Sequence, residues 1–256
     1  MPDLLTYLGC GLAAGLLGGY LGLGGGVLMV PYLVVIAGQN IKMAVPVSIA
    51  AIAVNSLSSS TEYLKKGMVD LELVVVLAIS LTIGNIVGSS ALQYVPMDFV
   101  QILFTVVLVY TAVVFLKGRK KKDHPEGESH TNTHLVLAVI LALAAGLLGG
   151  LVGVGGGVLL VPALFLVLRL PLTTARGTMT FMFGFSAAAS TVVFLLLERI
   201  DFHVVGPVIF GILFGAKLGG LLGTSSKPLT VRIIFFVVLM YLAVRLGWEP
   251  IGRLIG

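Results

Sequence analysis

Two glycine triplets, a polar stripe and one lysine are the residues of this 256-residue chain whose types and spacing can hold a small anion inside an apolar protein. The triplets are Gly24-Gly25-Gly26 and Gly155-Gly156-Gly157, set in "GLLGGYLGLGGGVLMVP" (15–31) and "GLLGGLVGVGGGVLLVP" (146–162). A helix starting at such a break points free backbone N–H groups and the positive end of its dipole forward, which suits an oxyanion. The same glycines also serve close helix packing, which is the reading that fits Gly15, Gly18, Gly19 and Gly22. The stripe is Ser48, Asn55, Ser59 and Glu62, spaced 7, 4 and 3 apart. At 100° per residue these lie within about 60° of one another on a helix. Ser186 and Ser190 recur 131 residues after Asn55 and Ser59, with Thr178, Thr180 and Thr191 nearby. Substrate contact competes here with interhelical bonding and with hydroxyls bonding their own backbone. Lys217 lies inside the apolar "VGPVIFGILFGAKLGGLLG", where a cation is costly and could neutralise a bound anion, or pair with Glu62 or Glu198. Glu62, Asp70 and Asp201, at the ends of apolar stretches, are candidates for relaying protons or holding a coupling ion such as sodium, or are simply solvated.

The elements that position these groups must be membrane helices. The chain is 58% hydrophobic and 11% charged, with a mean hydropathy of +1.11, outside the range of a soluble domain. Apolar stretches of about 20 residues recur, each long enough to cross roughly 30 Å of hydrocarbon as a helix. They are continuous rather than alternating, which favours helices over strands. The first stretch has no basic lead-in and runs into the glycine phrase, so it reads as mature structure. Cys10 is the single cysteine, so no intrachain disulfide forms. Five of the sixteen basic residues stand in "KGRKKK" (117–122), a topology signal for a cytoplasmic segment rather than a nucleic-acid site.

Adding 131 to a residue number in the first half lands on its counterpart in the second. Between 13–34 and 144–165, 16 of 22 positions are identical, and the register holds through Asp70 and Asp201, Gly84 and Gly215, and Tyr110 and Tyr241. The expected organisation is a membrane repeat over 1–117, a polar cytoplasmic linker over 118–133 and a second repeat over 134–256. The linker's His124, His130 and His134 are composition rather than a metal site. Each half holds five apolar pieces, near 4–22, 27–38, 41–61, 71–92 and 99–117 in the first. Pieces one and two as one straight helix would be about 50 Å long, too long for the bilayer. The chain therefore breaks at Gly24-Gly25-Gly26, and Pro31 is expected near the first turn of the helix that follows. The predicted fold is an all-α polytopic membrane protein of two repeats, each with a broken helix or re-entrant hairpin and about three spanning helices. Inverted repeats are favoured over a parallel four-plus-four arrangement, because Lys65-Lys66 face Leu196-Leu197 in the alignment while Arg169 and Lys227 face Gly38 and Pro96. Trp248 suits an interfacial anchor, and Arg176 either guides an anion or anchors a helix at the cytoplasmic side.

The doubled glycine phrase, "AVPVS" (44–48) and "ARGTMT" (175–180) some dozen residues after each copy, and GxxxG at Gly84/Gly88 and Gly215/Gly219 resemble the TauE/SafE family of anion transporters, the sulfite exporter group. "PVS" and "GTM" depart from the "GTS" toward which that family tends. The resemblance covers nearly the whole chain. It implies secondary transport of sulfite or a related sulfur-containing anion such as an organosulfonate across the cytoplasmic membrane, with the anion bound between the repeats. An anion channel and a carrier of an unrelated small carboxylate are the alternatives. An enzyme is not expected, since the deep segments hold no histidine or cysteine cluster, paired carboxylates or nucleophile beside a base. No cofactor and no nucleic-acid partner are expected, and "GLGGG" follows a spanning segment instead of the strand that a nucleotide loop requires.

Overall fold

The computed structural model describes residues 4–21, 24–117, 132–156, 160, 172–223 and 236–248. These form helices α1 (Leu4–Leu21), α2 (Gly26–Pro31), α3 (Ile41–Lys65), α4 (Leu71–Ala91), α5 (Met97–Lys117), α6 (Asn132–Val152), α7 (Leu172–Leu196), α8 (Phe202–Gly223) and α9 (Phe236–Trp248). Among the described residues there is no strand, and five helices (α3, α4, α6, α7 and α8) contain stretches long and apolar enough to cross a membrane. Large apolar side chains such as Val75, Ile79, Phe210 and Phe214 are exposed on the outside, as a lipid-facing surface requires. α6 begins at Asn132, two residues before the expected start of the second half. Most of the linker, and the counterpart of α2 that contains Pro162, lie outside the described residues.

The chain breaks where the sequence predicts. After α1, Gly24 and Gly25 have φ of 73° and 84°, a left-handed backbone that glycine adopts without a Cβ clash. α2 then runs back along α1: Tyr32 Oη donates to the Thr6 carbonyl at 3.4 Å and Gln39 Nε2 to Tyr7 Oη at 3.0 Å. The segment thus ends beside the start of α1, as a hairpin. Pro31, expected near the first turn of the new helix, is instead the last residue of α2, and the chain continues as a π-helix over Tyr32–Ile36. Proline lacks an N–H and its ring crowds the carbonyl four residues back, so the wider i→i−5 pattern follows, with Ala37 N–H on the Tyr32 carbonyl at 3.1 Å.

α3 leaves from the face where α1 begins, and Tyr63 Oη near its end donates to the Gly19 carbonyl near the end of α1. α4 returns, bringing Gln93 back to Lys42. Two glycine-faced pairs frame the molecule. In one, Gly11, Gly15 and Gly19 of α1 lie against Val208, Ile212 and Ala216 of α8; in the other, Gly84 and Gly88 of α4 lie against Leu143 and Leu147 of α6. The ascending numbers on both members show that each pair is parallel. α3 and α7 are antiparallel, with Leu57 beside Gly184 and Tyr63 beside Gly177. α3 is the most enclosed of the five long apolar helices.

Short polar caps set the helix starts. Asn40 Oδ1 accepts from Lys42 N–H at 2.9 Å, Asp70 Oδ1 from Leu73 N–H at 3.1 Å, and Asp201 Oδ1 from His203 N–H at 2.9 Å. Removing such a cap costs about 1 kcal/mol. Asp70→Ala is therefore expected to lower the thermal midpoint of the detergent-solubilised protein by about 2–4 °C, and Asp70→Asn, which keeps the acceptor, to restore most of it.

Candidate functional site

The two glycine breaks converge on one helix. Ser48 of α3 donates from Oγ to the Gly153 carbonyl at 2.7 Å. A Cβ at Gly26 would stand 2.7 Å from that same carbonyl and 3.0 Å from Ser48 Oγ, so the first break touches the second. Ile52, one turn further, fills the space between: its methyl groups lie against Gly24, Gly26 and Gly155. Gly153, Gly155 and Gly156 have φ of 82°, 68° and 76°. The N–H groups of Gly153, Val154 and Gly155 all turn to the Gly149 carbonyl, at 2.8, 3.1 and 3.4 Å. The predicted Gly157 lies outside the described residues.

Both breaks rest on a glycine in the preceding helix. A Cβ at Gly18 would overlap the Gly25 amide, and one at Gly149 the Gly156 amide; in turn Gly25 and Gly156 press on the Ala14 and Ala145 carbonyls. Gly18 therefore permits the chain to fold back, and is not solely a helix-packing residue as its place in the phrase suggested.

Above the first break stands Asn55, fully buried, with neither Oδ1 nor Nδ2 hydrogen-bonded among the described residues. Its amide lies 3.1 Å from where a Cβ at Gly25 would be, and the next residue, Ser56, is also buried with an unpartnered hydroxyl near Gly24. Burying an amide without partners costs several kcal/mol by about 1–3 for each unmet group, and native chains seldom retain that cost without a use for it.

A second polar cluster joins α4 and α7. Asn85 Nδ2 donates to Ser186 Oγ at 2.9 Å. Asn85 Oδ1, Ser89 Oγ and Ser190 Oγ are buried without partners among the described residues. Gly150 of α6 lies directly on Asn85, so this cluster adjoins the helix that leads into the second break. The antiparallel register of α3 and α7 puts Asn55 and Ser186 at about the same depth.

The other predicted residues have local duties. Ser59 Oγ donates to the Asn55 carbonyl at 2.6 Å, within its own helix. Thr178 Oγ1 accepts the Asp70 N–H at 2.9 Å, tying α7 to the start of α4. Glu62 pairs with Lys65 at 3.1 Å, while Asp70 and Asp201 cap helices. Lys217 does not join the inner groups: it is exposed on α8 beside Phe214 and Leu218. α8 must turn Gly215, Ala216, Gly219 and Gly220 inward to approach its neighbours, and this rotation carries Lys217 outward. Among the described residues no group of three histidine, cysteine, aspartate or glutamate side chains can hold a metal ion.

Sequence reasoning missed Ser56, Ser89 and the backbone duty of Gly18 and Gly149. Asn85 carried a signal, being an amide where the second half has Ala216. Ser56 and Ser89 carried none, because a lone serine in an apolar helix ordinarily bonds its own backbone.

The arrangement of two opposed glycine breaks over buried, unfilled amide and hydroxyl groups suits a small polar solute held at depth in an apolar protein. The family model described as "Sulfite exporter TauE/SafE" matches residues 7–246. A "Probable membrane transporter protein" of Xylella fastidiosa (strain 9a5c) is 27% identical, covering 100% of this chain and 99% of the relative. "Probable membrane transporter protein YunE" of Bacillus subtilis (strain 168) is 26% identical over 94% of this chain and 96% of its own length. "Sulfite exporter TauE/SafE family protein 3" of Arabidopsis thaliana is 29% identical over 72% of this chain and 40% of the plant protein. No solved structure gives a significant match. With a family model that covers nearly all of it and full-length relatives named as transporters, the chain belongs to the sulfite exporter TauE/SafE family of membrane transporters and is not an enzyme.

Proposed function

We propose that the protein is a secondary transporter of a small sulfur-containing anion, sulfite or an organosulfonate, in the cytoplasmic membrane. The anion is held between two inverted repeats, with the polar linker cytoplasmic. The observation that carries the site is Asn55, whose amide is buried, unpartnered and beside the first break. Asn55 Nδ2 and the Ser56 hydroxyl supply neutral donors, which suit an anion that must also be released. The family's description as sulfite exporters supports the sulfur chemistry.

Inversion is supported by the directions of the helices. The first-half members α1 and α4 run opposite to their counterparts at an offset of 131, α6 and α8: α1 is parallel to α8, α4 to α6, and α3 antiparallel to α7. The hairpin return of α2 gives the first half an odd number of crossings, as inversion requires. Such repeats let two bundles rock about a central site, which is how alternating access is obtained.

Counterflow in proteoliposomes tests this reading. Protein loaded with unlabelled sulfite on one side is expected to accelerate uptake of labelled sulfite from the other, with saturation. A flux that grows linearly with concentration and shows no acceleration would identify a channel instead. Stimulation by acetate or lactate but not by sulfite or an organosulfonate would identify a carboxylate carrier.

A further inference from the structure

Ser89, near the end of α4, is 1% exposed and its hydroxyl has no partner among the described residues. The residue borders the floor of a shallow cleft on the face where α1 begins, lined also by Lys42, Gln93, Phe194, Leu197 and Arg199. Lys42 Nζ donates one hydrogen bond, to the Gln93 carbonyl at 3.2 Å, and retains two further N–H donors. Arg199 stands exposed on the turn after α7. Among the described residues the lining of the cleft holds two cations, Lys42 and Arg199, and no carboxylate, while Glu198, exposed on the same turn as Arg199, stands next to it outside the lining.

The cleft connects inward. α4 and α7 run in the same direction here, because Asn85 meets Ser186 at mid-depth and the ends of both helices line the cleft. Ser89 and Ser190, each one turn beyond the Asn85–Ser186 bond, therefore lie between that bond and the cleft. Buried polar groups form a file: the unpartnered Ser89 and Ser190 hydroxyls, then the unpartnered Oδ1 of Asn85, whose Nδ2 is held by Ser186. The corresponding seam between α3 and α8 has no such file. Ala216 and Gly220 stand where Asn85 and Ser89 stand, Gly220 lies against Ser59, and the Ser59 hydroxyl is already used by the Asn55 carbonyl.

We propose that the cleft between Lys42 and Arg199 is an anion-binding vestibule. From it the α4–α7 seam, through Ser89 and Ser190, is the route for small oxyanions to the centre of the protein. The cations gather anions from solution, since a basic cleft with low-dielectric walls concentrates them. The hydroxyls along the seam replace water without the tight hold of a buried cation. The destination of this route rests on the transport reading above; the anion site at its mouth does not.

The test begins with Leu197→Cys at the rim, in a Cys10→Ala background. Thiol labelling by a negatively charged methanethiosulfonate is compared with labelling by a neutral one, with and without Lys42→Gln and Arg199→Gln together. The anionic reagent is expected to lose about tenfold in relative rate when both cations are removed, and millimolar sulfate to slow its reaction in the parent but not in the variant. An unchanged ratio, or no protection by sulfate, overturns the vestibule. In proteoliposomes the same pair of substitutions is expected to raise KM about tenfold for sulfite offered at this face; an equal rise at both faces overturns the assignment of the route to this side. Charge-dependent labelling and sulfate protection in a protein that moves no anion would uphold the vestibule and refute the transport reading.

Discussion

Asn55→Leu is expected to yield a protein at least as stable as the parent and unable to bind its anion. The amide is fully buried and makes no hydrogen bond among the described residues, so a leucine of nearly the same shape removes an unmet desolvation cost of about 1–3 kcal/mol for each of its two polar atoms without opening a cavity. At roughly 2–4 °C per kcal/mol for a chain of this size, the thermal midpoint in detergent stays level or rises by several degrees. A ligand that binds only the folded protein raises that midpoint, by about 2.7 kcal/mol of stability at a hundredfold excess over Kd. Sulfite, thiosulfate, sulfate, sulfoacetate and taurine, tried in turn on the parent, are expected to include at least one that produces such a rise, and Asn55→Leu to abolish it. A lowered midpoint with the ligand response intact would mean that Asn55 serves packing. The pairing of gain in stability with loss of binding is characteristic of a site residue held at a cost to the fold.

The second large effect is expected at the glycine faces. A Cβ at Gly88 would overlap the Leu147 carbonyl, and one at Gly211 the Leu8 carbonyl; both obstacles are backbone, which cannot swing aside. Gly88→Val and Gly211→Val are each expected to cost about 3 kcal/mol or more by forcing helices apart, seen as loss of the monodisperse peak in size-exclusion chromatography. Gly9 and Gly206 have nothing within 4 Å of the same point. Gly206→Ala is expected to gain about 0.5–1 kcal/mol from helix propensity alone. Equal behaviour of Gly88→Val and Gly206→Val would show that glycine content, rather than contact, is what the helices require. Close approach matters here because helices in lipid gain nothing from burying apolar surface against one another and depend on van der Waals contact.

Much of the architecture was legible beforehand. Helix bounds over 71–92 and 99–117 agree with the structure within two residues, because uninterrupted apolar stretches between polar turns leave few choices in a bilayer. The break at Gly24–Gly26 was legible for the same reason: a straight continuation would be too long. Pro31 was misplaced. The sequence marks it as a helix punctuator but does not distinguish a proline that begins a short helix from one that ends it in a π-turn. Ser48, Asn55, Ser59 and Glu62 were legible as a stripe on one helix, and the structure buries all four, yet they divide into Ser48 on the second break, Asn55 unfilled, Ser59 bonded to its own helix and Glu62 paired with Lys65.

What the sequence determined by itself was the membrane class, the doubled glycine phrase and the place of the first break, since hydropathy, a repeated phrase and length are properties of the chain. The tertiary structure alone decided which polar groups face one another. Helix rotation follows from how closely neighbours can approach, and that depends on glycines in other helices. Gly215, Ala216 and Gly219 turn inward and so carry Lys217 to the surface. Gly150 of α6 brings that helix onto Asn85, a residue that sequence alone left without a role. A side chain's own apolar surroundings in the sequence report its depth in the membrane, whereas its direction is set by the partners its helix can touch.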